Sequence, residues 1–317
     1  MKVQDDLQGP AAAAEIGRSN RRLVWARVRR DKASVLGMVL VATIVAIAIF
    51  APLLAKLAGH GPNELFDSMR TDLGLPEGPN SHFWFGADQV GRDLFVRVMY
   101  GARTSLIVSV VGTSIATLIG VVVGLWAGYY GGWLDTLISR SVDVWLSLPL
   151  LLFAVGLSTV CSASANGCLG GLLQPGLPLV TGIIAMLTWP YMARIVRGQA
   201  ISLRERDFVE ASRSMGASDV RIMFWELLPN LMTPILVYAT FAIPGNILFE
   251  AALSFLGVGV PQSSPSWGRM LSDATSGSLF TYAWWMMLYP GLFLLLTTLA
   301  FYLIGDGLRD ALDPRRR

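Results

Sequence analysis

Six runs without a charged residue divide this chain, at 34–55, 104–128, 144–160, 177–193, 231–249 and 284–304. Each is apolar and close to the ~20 residues a helix needs to cross a hydrocarbon layer. The pattern predicts an all-α integral membrane protein with six transmembrane helices filling a permease domain over 34–304. Polar connections fall at 56–103, 129–143, 161–176, 194–230 and 250–283. Residues 1–33 form a polar, basic lead, and 305–317 a short charged tail. Leu23, Val24, Ala26 and Val28 interrupt the basic lead, as in a helix lying on a membrane surface. That lead, with a first apolar run past 20 residues, predicts a retained anchor rather than a cleaved signal peptide.

Charge gives the runs a direction. Only 15% of residues are charged and mean hydropathy is +0.53, whereas a soluble domain carries about 25% charged residues. Of 25 Lys and Arg, six (Lys56, Arg70, Arg92, Arg97, Arg103 and Arg269) fall on one side of the predicted spans. The other 19 lie in the basic lead, at Arg140, between Arg194 and Arg221, and in the tail. Positive residues stay inside, so both termini and the 194–230 loop are expected in the cytoplasm. The Arg clusters flank spans and orient the chain, which leaves no nucleic-acid patch. Cys161 and Cys168 then share an outer, oxidising loop, where a disulfide would pin a Gly-rich segment; two free thiols are the alternative. With His60 and His82 in other loops, the four residues make no zinc site, and both histidines read as surface residues.

Energy coupling is constrained by what the chain lacks. A phosphate-cradling loop needs Gly-Lys-Ser/Thr, and none of Lys2, Lys32 and Lys56 follows a glycine. Nucleotide chemistry therefore belongs to another polypeptide. A proton-coupled carrier keeps an ionisable group inside the membrane. Here Asp143 and Glu250 stand only at the borders of the third and fifth spans. A nucleophile elbow is also missing.

Within the second span Gly112, Ala116, Gly120, Gly124 and Gly128 recur every four residues, a groove for close approach of another helix. Ser105, Ser109, Thr113 and Thr117 run beside it. They either line a polar path or bond their own helix carbonyls and a helix contact, and the second reading is favoured. Pro149, Pro190, Pro244 and Pro290 sit in or beside later spans and permit bends; none is singled out as a gate.

The longest cytoplasmic loop predicts a helix over 203–215. Phe208, Ala211, Ser212 and Met215 share one face; Arg206, Glu210 and Arg213 share another, spaced for ion pairs. Gly216 can close that helix in a left-handed conformation, Ser218 or Asp219 can cap a second, and Pro229 ends it. By shape this is either a coupling element that sits in a partner's groove or an ordinary solvated hairpin.

Glu210-Ala211-Ser212, then Gly216, then Leu228-Pro229, resembles the EAA motif of ABC-importer permeases, with Ser212 where a second alanine is usual. The stretches 85–106, 250–271 and 304–314 are similar to the dipeptide/oligopeptide/nickel permeases, specifically the C-type subunit. The similarity covers roughly 30–315. It implies a type I importer permease fold in a bacterial plasma membrane. It implies that Arg206, Phe208, Glu210, Ala211, Ser212, Met215, Gly216, Leu228 and Pro229 dock on separate ATPase subunits that use ATP and Mg. Further implied partners are a B-type permease and a solute-binding protein. Peptide is the expected cargo, with nickel or another small solute as the alternative and a self-contained carrier or channel as the rival class. Around Asp88, Gly91, Arg92, Asp93 and Arg97 the outer segment reads equally as a partner contact or as internal ion pairs.

Overall fold

The computed structural model describes residues 25–26, 28–164, 166–171 and 173–312. The basic lead through Val24 and the tail from Asp313 lie outside these residues, and with them Leu23 and Val24 of the predicted surface helix; Ala26 and Val28 are helical.

Five helices are long and apolar enough to span a membrane: α1 (Lys32–Ala58), α2 (Leu94–Tyr130), α5 (Leu177–Arg204), α7 (Asp219–Phe255) and α9 (Trp285–Leu312). Among the described residues two shorter helices, α3 (Gly132–Ser147) and α4 (Leu150–Ser162), stand at the remaining predicted run and are bent by 84° at their break. The sequence expects one span over 144–160; Pro149 explains the difference. A residue before proline is driven out of the helical region, and Leu148 sits at φ −71°, ψ 135°. Pro190, Pro244 and Pro290 lie inside unbroken helices.

Several helices overrun their apolar runs because polar residues cap them beyond the predicted ends. Asp93 accepts from the backbone N–H of Phe95 (2.8 Å) and Val96 (3.4 Å), so α2 starts ten residues before 104. Asp31 caps α1 by accepting from Ser34 N at 2.9 Å. The Ser34 hydroxyl also holds the Asp31 carboxyl below its usual range. At its other end α5 continues past the membrane run to Arg204, and α7 begins at Asp219. Ile222–Leu227 of α7 is π-helical, the wide turn that precedes Pro229. Pro229 therefore does not end a separate helix, as the sequence suggests; it stands near the start of the α-helical part of α7.

The small-residue ridge of α2 meets α5. A Cβ added at Gly120 would lie 2.6 Å from Met192 Cβ, at Gly124 2.6 Å from Ala193 O, and at Gly128 2.6 Å from Ala200 Cβ. The two backbones approach as the four-residue period predicts. α1 packs against α9 and α2, and α7 against α2, α9 and α5. The short helix α8 (Trp267–Thr275) crosses the Leu94 end of α2, where Trp267 Nε1 donates to Val98 O at 3.1 Å.

Candidate functional site

The predicted 203–215 helix is split. α5 ends at Arg204, the chain turns at Glu205, and α6 (Asp207–Ser214) begins after Arg206. Apolar periodicity cannot see that Leu203 and Arg204 prolong a span. Gly216 has φ +80° and closes α6, while Ala217 N reaches back to Ser212 O at 3.1 Å. Nothing lies within 4 Å of a Cβ placed on Gly216, so its backbone conformation alone demands glycine.

The expected face divides in two. Ser212 is buried beside Val209, which is fully buried in a cluster with Val121, Leu125, Val196, Ile222 and Leu227. Burying a valine stabilises by about 1.5–3 kcal/mol, enough to seat a short helix. Phe208, Ala211 and Met215 remain exposed on the adjoining side, Met215 at 80%. Glu210 is exposed beside them, Leu228 packs at the cluster's edge, and Pro229 is exposed. Among the described residues no ion pair within 4 Å joins Arg206, Glu210 and Arg213.

Arg213 turns instead to Tyr129, which the sequence reading overlooked. Its Nη2 donates to the Tyr129 hydroxyl at 3.4 Å, and its guanidinium carbon lies 5.9 Å from that ring's centroid. The same hydroxyl donates to Asp219 Oδ1 at 2.7 Å. Asp219 is free to accept because Ser218 caps α7, taking Arg221 N at 3.4 Å. From α5, Arg204 Nη1 donates to the terminal carbonyls of α2 at Gly128 (3.1 Å) and Tyr129 (3.5 Å). Arg197 pairs in bidentate fashion with Asp135 of α3, and Arg194 Nη2 lies 2.7 Å from Asp143. The end of α2 is thus a mount to which α5, α6 and α7 are each bonded. A polar tip on the last turn of a span was the one available signal for Tyr129.

At the opposite end the segment 88–97 turns inward. Asp88, Arg92, Asp93 and Arg97 are all buried. Asp88 Oδ2 takes Arg92 Nε at 2.6 Å and pairs with Arg97 Nε at 3.3 Å. Arg97 also donates to Pro62 O (3.0 Å) and Asn63 Oδ1 (3.1 Å). Arg269 Nε pairs with Asp273 at 3.3 Å, and burial pushes the Asp273 carboxyl above its ordinary range against those cations. Gly91 (φ +86°) makes the turn that folds Arg92 back on Asp88. These side chains pair with one another, as the internal ion-pair reading of the sequence expects. His60 is likewise no plain surface residue: Nδ1 lies 2.7 Å from Asp93 Oδ2, and the ring stacks on Phe83 at 4.4 Å. His82 is exposed. Cys161 and Cys168 are joined in a disulfide.

The hydroxyl row of α2 faces α7. Ser105 donates to Glu250 Oε2 at 2.9 Å, and Thr113 accepts from Asn246 Nδ2 at 2.7 Å. Ser109 is fully buried and its hydroxyl has no partner among the described residues. Thr117 and Thr113 border a cavity of about 300 Å³. The row therefore serves a helix contact at its upper end and opens onto a space at its lower end.

Comparison with known proteins adds a lineage to this geometry. Residues 120–317 match the family of binding-protein-dependent transport system inner membrane components. Residues 19–73 match the N-terminal transmembrane domain of oligopeptide transport permease C. The dipeptide transport system permease protein DppC of Alkalihalophilus pseudofirmus is 39% identical over 93% of this chain and 90% of its own length. The oligopeptide transport system permease protein OppC of Bacillus subtilis is 37% identical over 92% of this chain and 88% of its own. Among solved structures, an inward-facing MetNI methionine ABC transporter aligns with a TM-score of 0.53 at 20% identity. It covers 68% of this chain and 97% of that one, a likeness of fold.

Proposed function

The chain belongs to the family of binding-protein-dependent transport system inner membrane components, and from that premise we propose that it forms half the path of a peptide importer in a bacterial plasma membrane. In this reading a B-type permease supplies the other wall, and a solute-binding protein delivers di- or oligopeptides from outside. Two ATP-binding subunits use ATP and Mg; this chain performs no bond chemistry. Both termini and α6 face the cytoplasm, consistent with the positions of Lys and Arg.

The observation that carries the reading is the exposed face of Phe208, Ala211 and Met215 on a helix whose other side is fixed to the end of α2. A push on that face cannot be absorbed locally. Arg213 passes it to Tyr129 and α2, and the closing turn at Gly216 passes it to α7. The ridge of α2 transmits it to α5, where the backbones are in contact. Nucleotide binding that draws the ATPases together would then swing the spans outward-open, and hydrolysis would return them. A peptide needs such a lined route because each amide buried without a partner costs several kcal/mol in lipid.

Uptake of a radiolabelled dipeptide into vesicles holding all the subunits tests this. Import is expected only with ATP and only when the ATPases are present. Flux through this chain without them would replace the reading with that of a self-contained carrier or channel.

A further inference from the structure

Halfway along the spans, α2, α5 and α7, together with Leu150 of α4, line the half-open cavity of about 300 Å³. That volume is at the lower end for small-molecule sites, roughly 300–1,000 Å³. Its polar lining is Thr113, Thr117, Thr188, Tyr191, Tyr238 and Asn246, and no charged residue borders it. Three of these groups are already engaged: Thr188 donates to Ile184 O at 2.8 Å, and Asn246 donates its amide N–H to Thr113. Among the described residues, the hydroxyls of Tyr191, Tyr238 and Thr117 make no hydrogen bond within the chain. Three hydroxyls without a protein partner face one open space between apolar helices, where a polar visitor can bond them.

We infer that this cavity is a cargo subsite that takes the neutral backbone amides of a peptide in transit. The inference rests on the proposed peptide import. A hydroxyl both donates and accepts, so Tyr191, Tyr238 and Thr117 can serve either an N–H or a C=O as the chain slides past. Phe241 and Phe249 give the same space an apolar wall for side chains. With no charge in the lining, nothing holds a peptide terminus strongly enough to stop its release. A bare metal ion finds no carboxylate, imidazole or thiolate there.

The test is import of labelled trialanine by vesicles holding the complete transporter. Loss of two hydrogen bonds is worth about tenfold in rate. A Tyr191→Phe, Tyr238→Phe double variant is therefore expected to import about tenfold more slowly. Ser114→Ala removes a hydroxyl from the exposed side of α2, where it bonds Val110 O at 2.8 Å, and is expected to import at the wild-type rate. Independently of rate, a photoreactive phenylalanine analogue at Tyr238 should capture trialanine during turnover. Wild-type import by the double variant, or no capture at position 238 while import proceeds, overturns the subsite and leaves peptide import standing. A wild-type transporter that imports no peptide removes both.

Discussion

The Tyr129 hydroxyl donates to Asp219 Oδ1 at 2.7 Å, so the last turn of α2 holds the first turn of α7. The same oxygen accepts from Arg213, which places the anchor of α6 on one atom of a spanning helix. Tyr129→Phe keeps the buried ring and removes that atom. A lost hydrogen bond of this kind weakens the mount by about 1–3 kcal/mol. The peptide imported per ATP hydrolysed is expected to fall, with little change in the amount of assembled complex. An unchanged ratio would mean that the mount transmits nothing.

Gly216 tests the same element through the backbone. Its φ of +80° penalises any residue with a Cβ although the space around it is open. Gly216→Ala is expected to cost about 1 kcal/mol and to impair uptake, and Gly216→Asn to impair it less, because Asn enters the left-handed region more readily. Equal uptake by both variants and wild type, read in the same vesicle assay, would show that the turn's shape is immaterial.

How far the fold could be read from residues depends on what each signal senses. The five long spans follow from unbroken apolar runs, and the α2–α5 contact follows from Gly112, Gly120, Gly124 and Gly128. The break at Pro149 was harder to foresee, because Pro190, Pro244 and Pro290 sit in intact helices and composition does not separate them. The sequence places the start of α6 too early because α5 carries its helix into the loop, and the division between Ser212 and Phe208 depends on Val209 finding a cluster drawn from α2, α5 and α7. His60 reads as a surface residue until Phe66, Phe83 and Asp93 close around it.

The buried charges at the opposite end make a stability prediction. Arg97 is wholly buried against Asp88, with further bonds to Pro62 and Asn63. Arg97→Ala leaves Asp88 facing Arg92 alone, and removing one member of a buried pair costs about 3–5 kcal/mol. The thermal unfolding midpoint of the detergent-purified complex is expected to drop clearly. A midpoint within a degree of wild type would show that the network does not brace this end.

The helix ridge gives a steric contrast. Gly124→Ile would drive a branched side chain into Ala193 O, already 2.6 Å from a bare Cβ, and should abolish assembly. Gly156→Ala, with nothing within 4 Å, should assemble normally by size-exclusion chromatography. Assembly of the Gly124→Ile variant would show that α2 and α5 need not touch.

The central claim is that the outward face of α6 is what the ATP-binding subunits grip. Single cysteines at Phe208, Ala211 and Met215, and at the inward Val209 and Ser212, provide the direct measurement when treated with a short thiol crosslinker in the assembled transporter. Adducts with an ATP-binding subunit are expected from the first three and not from the last two. Adducts from neither set while peptide still enters, or equal adducts from both, would contradict the account.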